Sequence, residues 1–315
     1  MVRVTVIGAG AIGMLLTYRL LEAGYQVELI TKREEQAKRI SLAGVTLTGG
    51  GTVYPKACSM EACSALPFPK KERHYLLLTV KQTAMTDAFA ARVKEMMGEG
   101  SRVICWQNGL GHDKVLARHI DANRIWLTVT TEGALKATDT EVAHTGHGVT
   151  WLGPILNGGS EGEPEQKVIR EMLMDAGFQL FLSNEIINRV WQKLIINAVI
   201  NPLTALLQVN NGALPFLPEA QPLMRALYEE ARGLADRAGI HLDPDLWETV
   251  LEVCRQTQDN RSSMLQDVLA GRQTEIEAIN GALLDKAREE GVRIPTHETI
   301  FRLVKALEGV SPARG

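Results

Sequence analysis

The chain has 315 residues, of which 45% are hydrophobic and 23% charged, an ordinary balance for a globular protein. At roughly 150 residues per domain, that length suggests about two domains. The 34 Lys and Arg against 37 Asp and Glu give a net charge of −3, which argues against a general nucleic-acid or anionic-membrane binder but leaves room for a local basic pocket.

The first strand is expected over 2–7, a β-branched run suited to a buried position, followed by a helix over 11–23 that Gly24 ends. Further strands are expected over 27–31, 75–80, 102–106 and 125–131, with helices over 83–97 and 113–119 between them. This alternation implies a parallel sheet covered on both faces. Short strands with turns follow over 142–153, then a polar loop over 158–163, a helix over 165–175 and a last strand over 179–182. Beyond Ser183 the texture changes to helix, with expected segments over 185–201, 220–238, 244–257, 263–270, 274–290 and 298–307. The fold class read here is an α/β Rossmann-type N-terminal domain with a parallel sheet, residues 1–184, and an all-α C-terminal domain, residues 185–315.

The apolar N-terminus carries three glycines and lacks a small-residue cleavage site, so it does not read as a signal peptide. The apolar run 194–209 contains Asn197, Asn201 and Pro202 and reads as too short and too polar to span a bilayer. Cys58, Cys63, Cys105 and Cys254 are too scattered for a disulfide scaffold and fit reduced thiols in a cytoplasmic protein. His144 and His147 in HTGHG have a metal-like spacing without a carboxylate set, and no metal is expected.

Gly8-Ala9-Gly10-Ala11-Ile12-Gly13 matches G-x-G-x-x-G between an expected strand and an expected helix, the context that makes it a dinucleotide-binding signal. Gly8 permits the turn, Gly10 lets the backbone approach a pyrophosphate, and Gly13 allows close helix–sheet packing. The second strand ends in Thr31-Lys32-Arg33, where NAD binders usually place an acid for the ribose 2′-hydroxyl. Two cations there favour NADP(H), with Glu34 and Glu35 as helix N-terminal acids.

Arg189, Lys193, Asn197 and Asn201 recur every four residues in an otherwise apolar helix, which stacks them along one face. Such a stripe either meets other protein polar groups or lines a cleft holding a polar ligand. Pro202 suggests that the helix kinks or ends near Asn201. Downstream, Ser263 with Gln266 and Thr274 with Glu277 fit the capping-box pattern. Glu275, left at the first helical position, either meets the helix dipole or orients a catalytic Lys.

These residues resemble the ketopantoate reductase family over nearly the whole chain. The resemblance is carried by Gly8 to Gly13, Lys81 in LLLTVKQT, Asn108 in WQNGLG, the string WQKLIINAVINPLTAL from Trp191 to Leu206, Asn211-Gly212, Ser262 to Asp267, and Thr274-Glu275. It implies Lys193 as the catalytic lysine and Glu275 as the second catalytic residue. It also implies Asn197, Asn201, Asn211 and Ser263 at substrate-binding positions, Asn211 being open to a second reading in which it shapes the Asn-Gly turn. Asn108 would lie near both nicotinamide and substrate, Lys81 near the cofactor phosphates, and Lys32 at the position usually held by Arg. The implied reaction is NADPH-dependent reduction of 2-dehydropantoate to (R)-pantoate, a step of pantothenate and coenzyme A biosynthesis. The expected assembly is a monomer or homodimer without nucleic-acid or membrane partners. The rival readings are an NADP-dependent reductase of another small 2-oxo or 3-hydroxy acid, and a non-enzymatic NADP-binding sensor.

Overall fold

Short β-branched runs separated by glycine turns build the first half of the chain, and the computed structural model describes residues 2–65, 73–156 and 164–309. The polar loop expected over 158–163 lies outside the described residues. β1 (Val2–Ile7) feeds α1 (Ala11–Glu22), and β2 (Gln26–Thr31) returns parallel to β1 with Val4 opposite Val27 and Ile7 opposite Ile30. α2 (Glu34–Ala43) begins on Glu34 and Glu35, both in its first turn, as the sequence suggests. Then come β3 (Val45–Leu47), β4 (Thr52–Val53), β5 (Lys56–Ser59), β6 (Arg73–Leu78), α3 (Asp87–Glu95), β7 (Ser101–Cys105) and α4 (His112–Ala117). β8 (Ile125–Thr130), β9 (Gly133–Lys136), β10 (Glu141–Gly146), β11 (Val149–Pro154), α5 (Pro164–Asp175) and β12 (Gln179–Leu182) complete this half.

The main sheet has the order β12-β11-β8-β7-β6-β1-β2-β5. Its pairs are parallel except β11 with β8. From β5 to β8 this is the 3-2-1-4-5-6 order of a dinucleotide-binding sheet, whose order reverses between β1 and β6. A second sheet, β4-β3-β10-β9, stands beside the expected parallel sheet; its two- and three-residue strands, β4 and β3, are too short to show a period. The helix expected over 83–97 is also divided. Thr86 accepts from the Phe89 N–H at 3.2 Å and starts α3 afresh, leaving a 3₁₀ turn at Gln82–Ala84.

In this half Val4, Val6, Leu15, Leu16, Leu29 and Ile104 share one core. Trp126 is buried within it, and Trp106 meets Phe178 edge-on at 6.1 Å, so these tryptophans anchor packing. Cys105 is fully buried and its thiol is pushed well up by desolvation, the behaviour of a structural cysteine. His144 Nε2 lies 2.6 Å from Glu132 Oε2, a carboxylate that the local sequence around the two histidines does not supply.

The second half is helical: α6 (Ile186–Leu207), a 3₁₀ segment (Asn211–Phe216), α7 (Ala220–Arg237), α8 (Leu246–Gln256) and α9 (Ser263–Leu269), followed by a π-helical turn (Glu277–Gly281), α10 (Ala282–Glu289) and α11 (Pro295–Gly309). The chain forms two compact units, one of 1–107 with 112–186 and one of 108–111 with 187–315. α6 is long and apolar enough to cross a membrane by length and composition, more than the run read from sequence, but 67% of its most apolar window is buried. Leu194, Ile195, Ala198 and Val199 on α6 share a core with Leu227, Ala231, Ile279 and Leu283. The Glu230 carboxylate accepts from the Thr296 and His297 N–H groups at 2.9–3.1 Å, which satisfies the start of α11.

Pro202 does not end α6; the helix continues to Leu207. A proline at this position lacks the N–H that would bond the carbonyl four residues back, and Ala198 is fully buried. An unsatisfied buried carbonyl costs about 1–3 kcal/mol. Here Asn280 Nδ2 donates to Ala198 O at 3.2 Å, so the side chain of a residue far along the chain replaces the missing bond.

Candidate active site

The glycine loop is shaped by three different constraints. Gly8 has φ +117°, and a Cβ there would lie 2.9 Å from Thr79 and Val80 backbone atoms. At Gly13 a Cβ would lie 1.9 Å from Gly8 O and 2.5 Å from Thr79 Oγ1, so the close packing expected there is real. Among the described residues, no protein atom lies within 4 Å of where a Cβ on Gly10 would stand. A side chain at Gly10 would fill only the space before the α1 N-terminus, whose first turn has no acidic residue. That arrangement suits an approaching anion. Ala9, Ala11 and Ile12 complete the loop, and Gln36 Nε2 donates to Ala9 O at 3.0 Å, fixing its edge.

At the end of β2 the two cations differ. Arg33 Nη2 pairs with Asp139 Oδ1 at 2.7 Å, and Asp139 also holds Arg39 and Lys136. These cations hold the Asp139 carboxyl below its ordinary range, led by the Lys136 hydrogen bond. Lys32 is exposed and has no ionic partner among the described residues. Lys81 is exposed at the start of the 3₁₀ turn after β6. At the C-terminal end of β7, both amide atoms of the buried Gln107 and the Nε1 of Trp106 have no hydrogen-bond partner among the described residues. Orphaned polar atoms at the carboxyl edge of such a sheet fit a polar ligand there.

In the helical unit, Lys193 is half-buried on α6, with half-buried Asn197 one turn on and buried Asn201 a turn further. Desolvation pushes the Lys193 ammonium down to about 8, against the opposing field of Glu275, which favours its charged form. Asn108 Nδ2 approaches Glu275 Oε2 at 3.5 Å, so Lys193, Glu275 and Asn108 form one cluster. Gly109 makes that approach possible: at φ +90°, its missing Cβ leaves room for Ala278 O, which a Cβ would meet at 2.2 Å. Asn201 Nδ2 lies 3.5 Å from Ser263 Oγ.

A family model described as "Ketopantoate reductase PanE/ApbA" matches residues 4–157, and one described as "Ketopantoate reductase PanE/ApbA C terminal" matches residues 185–308. The chain belongs to the ketopantoate reductase family. The 2-dehydropantoate 2-reductase of Bacillus subtilis (strain 168) is 34% identical over 307 residues, 97% of each chain. That of Archaeoglobus fulgidus is 33% identical, over 97% of this chain and 98% of the other. Among solved structures, 2-dehydropantoate 2-reductase from Geobacter metallireducens GS-15 is 25% identical with a TM-score of 0.84, covering 96% of this chain and 99% of that one. D-mandelate dehydrogenase with NADH and anilino(oxo)acetate, 23% identical with a TM-score of 0.87 over 99% and 100% of the two chains, shares the fold.

Against this family background, several residues take roles that the sequence patterns did not give them. Ser262, not Ser263, caps α9: its Oγ accepts from the Leu265 N–H at 3.1 Å and from Thr204 Oγ1 at 2.7 Å. The exposed Ser263 hydroxyl is thereby left beside Asn201. Thr274 and Glu277 form no capping box. Thr274 donates to Glu308, Glu277 pairs with Lys305, and the helical backbone starts at Ile276, so Glu275 stands just before it. Asn211 is buried, donates to Thr257 Oγ1 at 2.9 Å and takes the Asn260 carbonyl with its own N–H at 3.0 Å. Both bonds tie down the segment that leads into Ser262 and Ser263.

Proposed function

We propose that this chain reduces 2-dehydropantoate to (R)-pantoate with NADPH. The observation that carries the reading is the clustering of Lys193, on the polar stripe of α6, with Glu275 and Asn108, where desolvation lowers the proton affinity of the lysine. A sensor has no use for such a pair, and membership of the ketopantoate reductase family points to the same chemistry. Residues 1–184 would serve the cofactor and 185–315 the substrate.

The cofactor-side residues fit a dinucleotide. Gly8 to Gly13 would receive the pyrophosphate at the α1 N-terminus, and Lys32 would receive the 2′-phosphate, with Arg33 contributing less because Asp139 already engages it. Lys81 and Asn108 would complete the phosphate and nicotinamide contacts. When bound, the nicotinamide supplies the hydride to the C2 carbonyl. Lys193 holds a proton at Nζ and delivers it to the carbonyl oxygen as negative charge grows there. Glu275 holds the ammonium in place and accepts from the substrate hydroxyl. Asn197, Asn201 and Ser263 bind the rest of the substrate, and Asn211 acts through the segment that carries Ser263.

The test is NADPH consumption with 2-dehydropantoate and a panel of other 2-oxo acids, aryl ones included. The expected result is preference for 2-dehydropantoate and for NADPH over NADH. Faster turnover of another acid would replace the substrate assignment, and cofactor binding without turnover of any acid would replace the enzyme by a sensor.

A further inference from the structure

The π-helical turn Glu277–Gly281 has the extra residue per turn that often marks functional sites, and its side chains reach further than the site itself. Asn280 in this turn is fully buried. One hydrogen of its Nδ2 goes to Ala198 O on α6, the carbonyl that Pro202 strips of its helical partner. The same nitrogen lies 3.0 Å from His297 Nδ1, and His297 Nε2 lies 2.9 Å from Leu227 O. A carbonyl can only accept, so Nε2 carries the ring hydrogen. Nδ1 then accepts from the amide, and both Asn280 hydrogens are used. Burial lowers the proton affinity of His297, which suits this neutral form.

Ala198 follows Asn197 directly and lies five residues beyond Lys193, while Asn280 lies five residues beyond Glu275. The same turn also carries Ala278, whose carbonyl Gly109 lets the Asn108 loop approach. One turn of helix therefore touches the elements carrying Lys193, Asn197, Glu275 and Asn108. An apolar contact between two helices tolerates sliding, whereas a hydrogen bond fixes a distance and a direction. A core built of Leu and an unbroken helix would also fill this space. The chain instead has both the proline that frees a carbonyl and the amide that takes it.

We propose that Asn280, backed by His297, is a positioning residue that sets the register of the Lys193 helix against Glu275. The inference rests on the reading of Lys193 and Glu275 as the catalytic pair. Asn280 acts through α6 and touches neither reacting group. Its loss lets the two helices drift, and misplacement on the scale of 1 Å costs up to about 100-fold in turnover.

The test is a cycle of Asn280→Ala, Pro202→Ala and the double variant, each read by thermal midpoint, kcat, KM for 2-dehydropantoate, and the alkaline limb of the kcat pH profile. Asn280→Ala should lower kcat about 10- to 100-fold with KM within about twofold. Its alkaline limb should move to lower pH, because Lys193 loses part of the Glu275 field that favours its charged form. Adding Pro202→Ala returns an N–H to Ala198 O, so the double variant should regain thermal midpoint but not kcat. This keeps the test readable where Asn280→Ala alone folds poorly. Recovery of kcat together with the midpoint would overturn the proposal and leave Asn280 a structural residue. So would a lowered midpoint with unchanged kcat and limb. Lys193→Ala is the control: normal turnover there would fail the site reading itself, whereas loss of turnover there with normal kcat in Asn280→Ala fails only this inference.

Discussion

Replacing Lys193 with Met should make the unliganded protein more stable and nearly inactive. Desolvation takes the ammonium from its ordinary 10.5 to about 8 in the folded chain. Each tenfold change in proton affinity is worth about 1.4 kcal/mol, so full expression of this drop amounts to roughly 3 kcal/mol of destabilisation. Solvent screening at a half-buried side chain reduces it, and a gain of about 1–3 kcal/mol is expected for the Met variant at neutral pH. The sign depends on pH in a defined way. Between about 8 and 10.5 the unfolded chain binds the Lys193 proton and the folded chain does not, so wild-type stability rises with pH across that window. The advantage of Met is therefore largest below pH about 8 and its pH-dependent part is gone by about 10.5. Urea unfolding of both proteins at several pH values reads this directly. A Met variant no more stable than wild type at neutral pH, or an advantage that grows as pH rises, would refute the desolvation argument. Turnover should fall by about 10²–10⁴-fold if Lys193 is the proton donor.

Other substitutions separate the remaining roles. Glu275→Gln removes the charge that favours protonated Lys193, so the alkaline limb of kcat should move to lower pH by about 1 unit or more; a limb that stays or rises would contradict the pairing. Lys32→Ala should weaken NADPH about 10-fold or more, measured by cofactor fluorescence, while Arg33→Ala weakens it less because Arg33 already holds Asp139. Equal losses for NADH would undo the 2′-phosphate assignment. Gly13→Ala should destabilise the fold by about 2 kcal/mol or more, since its Cβ would meet Gly8 O at 1.9 Å. Gly10→Ala should melt near wild type but bind cofactor more weakly, because its Cβ meets no atom of the described residues within 4 Å.

Features encoded within a few residues are legible in the sequence. The glycine loop, β1, β2, the helix N-terminal acids Glu34 and Glu35, and the four-residue spacing of Lys193, Asn197 and Asn201 each show in a local pattern. What escapes is set by distant partners or by competition between neighbours. Strands of two or three residues, β3 and β4, carry no period and owe their existence to pairing with each other and with β10. Of two adjacent serines, Ser262 is the cap, and its hydroxyl is held by a hydrogen bond with Thr204, 58 residues away. The passage of α6 through Pro202 cannot be read from Asn201-Pro202 alone, because the bond that makes it possible comes from Asn280 across 82 residues. Local rules predict a kink or an end there; the helix does not end, and a tertiary hydrogen bond takes up the carbonyl that the proline leaves.

The polar stripe on α6 is open to two readings from its spacing, protein partners or a ligand, and the structure gives protein neighbours to part of it. Asn201 has a protein neighbour in Ser263, and the backbone at Ala198 has one in Asn280. Lys193 has Glu275, but the field of that carboxylate does not offset its desolvation, as its lowered proton affinity shows. A structural ion pair gains little from being left so incompletely compensated, whereas a proton donor gains from a pKa near the working pH. The desolvation of Lys193, which the Glu275 field only partly offsets, is thus the physical ground for the proposal that places the proton donor at this lysine.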